Sequence, residues 1–193
     1  ESPYPTHPPA WTFRSDRVEM RFDTTRAASG KDPASAVRRL HATGGAEARR
    51  AGVDGRGAFL GSGETFHLER AGRETPAVFE GAFAGDPRLV LTPAPRRPGR
   101  GGSEGIAATD VIEVRVQPAE RIRFSGISAE GNAPWTFRSD EPVRFEILSR
   151  SGDEDEIRRS RIEAGCGAVT AHPGDSPGAF RRLLFDAEQG VTG

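Results

Sequence analysis

The stretch AWTFRSD, residues 10–16, and the stretch PWTFRSD, residues 134–140, share the hexapeptide WTFRSD. In a strand, the Trp and the Phe two positions later point to one side, while the Thr and the Arg point to the other. The aromatic pair buries a large apolar area, and Ser-Asp favours a turn through side-chain hydrogen bonds to the backbone. The hexapeptide therefore predicts a half-buried strand that ends in a turn, twice in one chain.

Similar elements follow the two copies. Apolar residues alternate with charged ones over residues 18–22 and again over residues 143–147, which predicts a strand with one buried face after each copy. A segment with an Arg-Arg pair comes next, at residues 38–39 and 158–159, and both segments have a helical pattern. The shared order indicates an ancestral duplication. We expect two related, pseudo-twofold halves within one domain.

Three segments predict short helices: residues 32–45, 153–165 and 176–190. Asp32 suits the N-cap of the first helix and Ser176 that of the third. Acidic residues open the second segment and arginines follow, which suits the helix dipole. Elsewhere the apolar runs are short and separated by turn residues, including a hairpin turn predicted at Gly61-Ser62-Gly63. The predicted fold class is α+β, a mainly antiparallel β-sheet with about three short helices.

The distribution of proline and glycine predicts the domain organisation. Residues 1–10 contain four prolines and should form an extended arm. Residues 92–105 are rich in Pro, Gly and Arg, which predicts a loop at an internal boundary. Residues 11–91 then form a first half and residues 106–193 a second, both within one compact domain.

Composition limits the classes of function. The net charge is −1, which gives no specific signal for nucleic acid or an anionic membrane. No apolar run approaches the length of a transmembrane helix. Lys31 is the only lysine among 27 basic residues, a bias that indicates GC-rich bacterial coding. A cytoplasmic location is favoured. Secretion stays open, because the chain begins with Glu1 and a signal peptide could have been removed.

Few residues have the spacing that specific chemistry requires. The four histidines form no HxH or HExxH pattern, so no metal site is predicted. Cys166 is the single cysteine, which excludes an intrachain disulfide; it is interpreted as a small buried thiol or, alternatively, as an exposed nucleophile. No GxSxG motif and no phosphate-binding GxxxxGK[ST] loop is present.

Two interpretations of the repeated hexapeptide stay open. It builds the scaffold, or it forms a pair of aromatic-plus-arginine sites that stack a ligand or bind an anionic group. The candidate binding residues are Trp11, Arg14, Asp16, Trp135, Arg138 and Asp140. A further possible anion contact, for phosphate or an acidic partner, is the basic loop with Arg96, Arg97 and Arg100.

The segment SAEGNAPWTF, residues 128–137, resembles the flavin-contacting segment of nitroreductase-type flavoproteins, in which a Ser/Gly-Asn stretch precedes Pro-Trp-x-Phe. The later Gly-Cys-Gly-Ala, residues 165–168, fits the same pattern. The resemblance implies FMN binding, with Ser128 and Asn132 near the cofactor.

The sequence therefore leaves two hypotheses for function. The first is a non-catalytic bacterial binding or assembly module, without a cofactor, that associates with a protein partner or with itself. The alternative is an enzyme acting on a small molecule, with FMN in a pocket between the halves.

Overall fold

The computed structural model describes residues 12–23, 36–51, 57–71, 78–93, 110–127, 134–150, 157–173 and 180–188, with residues 190 and 192. These residues contain no α-helix and form thirteen antiparallel strands in one continuous sheet. The strands are β1 (Thr12–Arg14), β2 (Arg17–Phe22), β3 (Val37–Ala51), β4 (Gly57–Ala71), β5 (Val78–Ala84), β6 (Arg88–Leu91), β7 (Asp110–Pro118), β8 (Arg121–Ile127), β9 (Trp135–Ser139), β10 (Val143–Arg150), β11 (Ile157–Ala164), β12 (Cys166–Pro173) and β13 (Phe180–Glu188).

The predicted α+β class is wrong, because each of the three helical segments contains a strand: β3, β11 and β13. In β3 the buried apolar positions are Leu40 and Ala42, then Ala46 and Ala48, with a two-residue period on each side of a glycine pair. Alanine is the strongest helix former, so this alternation is weak as a strand signal. Gly44 does not end a helix; it has a positive φ of 79° and bends the strand.

The predicted helices at 153–165 and 176–190 fail because short apolar patterns fit both periods. In β13, Leu183 and Phe185 are half-buried, while Leu184 and Asp186 between and after them are exposed, as in a strand with one covered face. In β11, Arg159 forms an ion pair with Glu146 of the neighbouring strand, at 3.7 Å. Sheet neighbours, which are distant in sequence, decide both elements.

Several pairs of consecutive strands each form one long strand with a bend in the middle, and the bends of neighbouring long strands lie side by side. β5 and β6 make one such long strand with its bend at residues 85–87, β7 and β8 bend at 119–120, and β9 and β10 at 140–142. Gly165 separates β11 from β12 in the same way. Backbone hydrogen bonds join successive bends, for example from the Gly85 amide to the Glu120 carbonyl at 3.1 Å.

The bends divide the sheet into two layers. Residues 65–71 of β4 pair with β5, whereas residues 59–62 pair with β6, so β4 itself crosses from one layer to the other. The lower layer contains β2, the first part of β3, the second part of β4, and β5, β8, β9, β12 and β13. The upper layer contains β1, the remaining parts of β3 and β4, and β6, β7, β10 and β11. Sheets commonly turn such corners through bends or bulges within their strands.

Aromatic side chains fill the space between the layers. Phe59 of the upper layer stacks on Phe137 of the lower layer, with ring centroids 5.5 Å apart. Phe66, Phe83 and Phe124 extend this cluster, with centroid distances of 4.6–5.9 Å. Burying one such side chain contributes about 1.5–3 kcal/mol to the free energy of unfolding. The stack of Phe59 on Phe137 thus joins the two layers within this aromatic core.

Two local predictions fail within this sheet. Gly61-Ser62-Gly63 is no hairpin turn but the middle of β4, where a Cβ on Gly61 would collide with the Phe83 ring. Residues 18–22 do form a strand, β2, but its predicted buried face is absent: all six residues are exposed. β2 lies at the edge of the lower layer, where only β3 pairs with it among the described residues.

Both hexapeptide copies form a strand that ends in a turn, as the sequence predicts. The Ser15 hydroxyl donates a hydrogen bond to the Arg17 carbonyl at 2.9 Å, and the Ser139 hydroxyl donates the equivalent bond to the Glu141 carbonyl at 3.1 Å. The copies nevertheless lie in different layers, since β1 belongs to the upper layer and β9 to the lower one.

The predicted domain boundaries are only partly covered. The arm at 1–10 lies outside the described residues, as does all of the 92–105 loop except Thr92 and Pro93. Within the described part, β6 and β7 pair directly on either side of that loop. The division into halves 11–91 and 106–193 stays a prediction.

Candidate functional site

An open trough with a volume of about 530 Å³ lies on the outer face of the lower layer. Four neighbouring strands line it: β4, β5, β8 and β9. The outer-facing lining residues alternate with core residues such as Phe66, Phe83 and Phe137 on the same strands. The trough is therefore built by side chains that point away from the aromatic core.

A row of residues across the strands explains the shape of the trough. The pairing register places His67, Ala82, Arg123 and Arg138 side by side on β4, β5, β8 and β9. The methyl group of Ala82 is short, whereas the side chains on both sides of it are long. The row thus forms a floor at Ala82 between a wall on β4 and a wall on β8 and β9.

The wall on β8 and β9 is basic. Asp140 forms ion pairs with Arg138, at 2.7 Å from Nε to Oδ1, and with Arg123, at 3.1 Å. The hydrogen bond between Arg138 and Asp140 raises the pKa of the guanidinium and lowers the pKa of the carboxyl. Arg121 lies two positions before Arg123 on the same side of β8, is exposed, and makes no ion pair with the described residues. Three arginines with one carboxylate among them leave donors directed at solvent.

The wall on β4 contains His67 and Glu69. Glu69 accepts a hydrogen bond from Arg39 at 2.8 Å, and its other oxygen lies 3.6 Å from Nε2 of His67. The hydrogen bond from Arg39 lowers the pKa of Glu69. Glu80 lies opposite Glu69 on β5. Arg39 therefore compensates part of the negative charge at this end of the trough, and the arginines of β8 and β9 lie at the other end.

The trough offers positive charge but no paired nucleophile and base. His67 is the one histidine in its lining, and Ser125 the one lining serine. β5 lies between their strands, which places the two backbones about 9–10 Å apart. A general base must reach its nucleophile within a hydrogen bond. His67 and Ser125 are therefore too far apart to act together as base and nucleophile in this arrangement.

The structure brings together only part of the predicted binding set. Arg138 lines the trough and Asp140 holds it in place. Trp135 points inward, is buried, and lies under the Arg50 guanidinium at 5.6 Å, so it cannot stack a ligand in the trough. Arg14 and Asp16 belong to the first copy, at the β1–β2 bend, and line no part of the trough. Trp11, Arg96, Arg97 and Arg100 lie outside the described residues.

The sequence interpretation did not select His67, Glu69, Ala82, Arg121 or Arg123 as site residues. Their only local signal is that each occupies the polar or small position of an alternating strand, a position typical of a solvated face. What makes them a site is the register between four strands, which places them side by side.

The described residues add no support for a cofactor or metal site. Ser128 and Asn132, the residues implied by the flavoprotein resemblance, lie outside the described residues. In the part of the chain that the structure describes, no three His, Cys, Asp or Glu side chains are placed to hold a metal ion. Cys166 is half-buried at the start of β12.

Comparisons with known proteins give no relative for this fold or site. No protein-family model, no curated protein and no solved structure matches the chain. The described residues include no helix that is both long and apolar enough to cross a membrane.

Proposed function

We propose that the protein is a non-catalytic binding module that holds a carboxylate-rich segment of a partner protein in the trough of the lower layer. The observation that carries the proposal is the basic wall, where Arg121, Arg123 and Arg138 face one concavity with Asp140 as the carboxylate among them. Arginine suits this role because its planar, forked guanidinium pairs with carboxylates in two-point geometry.

The shape of the trough supports a protein segment as the ligand. It is open along the sheet surface and crosses four strands, so an extended chain can lie across it. Thr136 and Ser125 supply neutral hydrogen-bonding groups between the charged walls. A partner bound through charged and polar groups on an exposed face is typical of a transient interaction.

The test uses a fluorescein-labelled hexaglutamate peptide, with hexaglutamine as its neutral control, and fluorescence anisotropy as the measurement. Hexaglutamate should bind more tightly, and added salt should weaken its binding because exposed charges are screened. Replacing two arginines in Arg123→Gln/Arg138→Gln should weaken binding about 2- to 30-fold, since each exposed ion pair contributes about 0.2–1 kcal/mol.

Two further variants sharpen the test. Arg14→Gln removes the equivalent arginine of the first hexapeptide and should leave hexaglutamate affinity unchanged, because Arg14 lines no part of the trough. Asp140→Asn removes the carboxylate that competes with the peptide for Arg123 and Arg138, and it should strengthen binding. Equal affinities for the two peptides, or equal losses in the Arg14 and the Arg123/Arg138 variants, would contradict the proposal.

A further inference from the structure

The exposed apolar side chains of β2 form one stripe at the edge of the lower layer. Val18, Met20 and Phe22 are 40%, 46% and 52% exposed, and they alternate with Arg17, Glu19 and Arg21. Among the described residues β2 pairs on one side only, with β3. Its other edge therefore carries backbone groups that no described strand pairs, beside exposed apolar side chains, which is the combination that edge pairing with another chain uses.

We infer that β2 pairs with β2 of a second copy of this chain, antiparallel and with the twofold axis at Met20. In that register Val18 lies opposite Phe22 of the partner subunit, and Met20 opposite Met20 of the partner subunit. Residues directly opposite in an antiparallel pair share one face. The two short stripes thus become one continuous apolar stripe across both subunits.

The charges of β2 select this register. With the axis at Met20, Glu19 lies opposite Arg21 of the partner subunit, and the symmetry repeats the ion pair. A twofold axis one residue earlier would place Glu19 opposite Glu19 and Arg17 opposite Arg21. An axis one residue later would place Arg21 opposite Arg21. Like charges directly opposite destabilise a pair of strands and opposite charges stabilise it, so the Met20 register is favoured over both of these. An axis at Val18 would also pair Arg17 with Glu19 of the partner subunit, but it would leave Met20 and Phe22 opposite Asp16 and Arg14 of the partner subunit. Only the Met20 register aligns both the charges and the apolar residues.

The second copy is the occupant that this edge fits, because an isologous interface requires a surface complementary to itself. The sequence RVEMRF meets that requirement with the axis at Met20, where opposite charges and apolar side chains both align. Pairing of one six-residue strand buries little area, which predicts a weak, concentration-dependent dimer. The interface lies at the β2 edge, separate from the strands that line the trough.

Sedimentation velocity over a range of protein concentrations tests the dimer. The wild-type protein should shift from monomer to dimer as concentration rises. Glu19→Arg should weaken the dimer about tenfold or more, because it sets arginine against Arg21 of the partner subunit. The double variant Glu19→Arg/Arg21→Glu restores opposite charges across the axis and should restore dimerisation.

The register has its own test in cysteine cross-linking, in a Cys166→Ser background. Met20→Cys should form an intermolecular disulfide on mild oxidation, since opposing positions meet at the axis. Val18→Cys should not, because two such residues would be separated by four positions along the strand, about 13 Å. Equal cross-linking by both variants would overturn the register.

A control at the opposite edge separates this interface from others. Ile157 of β11 is 57% exposed, and Ile157→Lys should leave dimerisation unchanged. The proposal is overturned if the wild-type protein stays monomeric at all concentrations, if the double charge swap fails to restore the dimer, or if Ile157→Lys abolishes it. Circular dichroism on each variant confirms that β2 changes leave the fold intact, as expected for exposed positions.

Discussion

The two copies of WTFRSD have one sequence and two different environments. The first lies in β1 of the upper layer, where Phe13 is half-buried and contacts Phe66 of β4 with centroids 5.5 Å apart. The second lies in β9 of the lower layer, where Phe137 is 1% exposed and stacks on Phe59, also of β4, at 5.5 Å. The serine hydrogen bond is thus conserved between the copies, while the Arg138–Asp140 ion pair has no counterpart between Arg14 and Asp16 among the described residues, and burial and partners differ.

The difference follows from where each strand lies in the sheet. β1 is an edge strand that pairs only with β3 among the described residues, whereas β9 has β8 on one side and β12 on the other. A central strand is covered along its inner face, and an edge strand is covered only in part. The position of a strand in the sheet therefore decides how much the same hexapeptide contributes to the free energy of unfolding.

The largest expected contrast concerns the two phenylalanines. Phe137→Ala should lower the free energy of unfolding by about 3–5 kcal/mol, because it leaves a cavity in the aromatic core. Phe13→Ala should cost about 1–2 kcal/mol, because a half-buried ring contributes less. Urea denaturation followed by fluorescence measures both. Equal losses would show that the two copies carry equal weight and would contradict the comparison.

A smaller contrast concerns the serines. Ser139 is 2% exposed, donates to the Glu141 carbonyl and accepts from the Glu141 amide at 3.3 Å. Ser139→Ala should cost about 1–3 kcal/mol, since two hydrogen bonds to the partly buried Glu141 backbone are lost. Ser15→Ala should stay within about 0.5 kcal/mol of wild type, as is usual at the surface. The same denaturation experiment applies; a larger loss for Ser15→Ala would reverse the expected order.

The smallest contrast is in acid sensitivity. The hydrogen bond from Arg138 holds the pKa of Asp140 below its usual value in the folded protein. A carboxyl whose pKa is lowered on folding stabilises the protein above its unfolded pKa, about 3.9, and this contribution is lost as pH falls through the folded pKa. Asp140→Asn should therefore lower Tm slightly at pH 7 and much less near pH 2.

Asp16→Asn is the matched control for that measurement. Asp16 makes no ion pair with the described residues, so the difference in Tm between this variant and wild type should show no comparable change with pH. Thermal melts by circular dichroism between pH 7 and pH 2 compare the two variants. If Asp140→Asn keeps a constant Tm difference over that range, the ion pair does not contribute in the way described.

One strand with alternating apolar residues follows each hexapeptide, and the two strands together show how much the sequence predicts. Residues 143–147 have their predicted buried face in β10, with Val143 and Phe145 in the core. Residues 18–22 have the same pattern and form β2, but their apolar side chains are exposed. Periodicity identifies the strand in both regions. It does not show whether another layer covers the apolar face, because that layer comes from residues far along the chain.

The candidate site follows the same rule. Arg138 and Asp140 are predicted from the hexapeptide, and their ion pair is a contact between residues two positions apart. Arg123 joins them only because β8 pairs with β9, and His67 faces them only because β5 lies between. Cross-strand neighbours of this kind have no fixed sequence spacing, so a single sequence cannot identify them.

By itself, the sequence determined the local units: strands with a two-residue period and the Ser-Asp turns. These depend on backbone sterics and on hydrogen bonds between near neighbours. The tertiary structure alone decided that β3, β11 and β13 are strands and not helices, which copy of WTFRSD is buried, and which charges line the trough. Those outcomes depend on pairing and burial between distant residues, whose energies exceed the small local preferences for helix or strand.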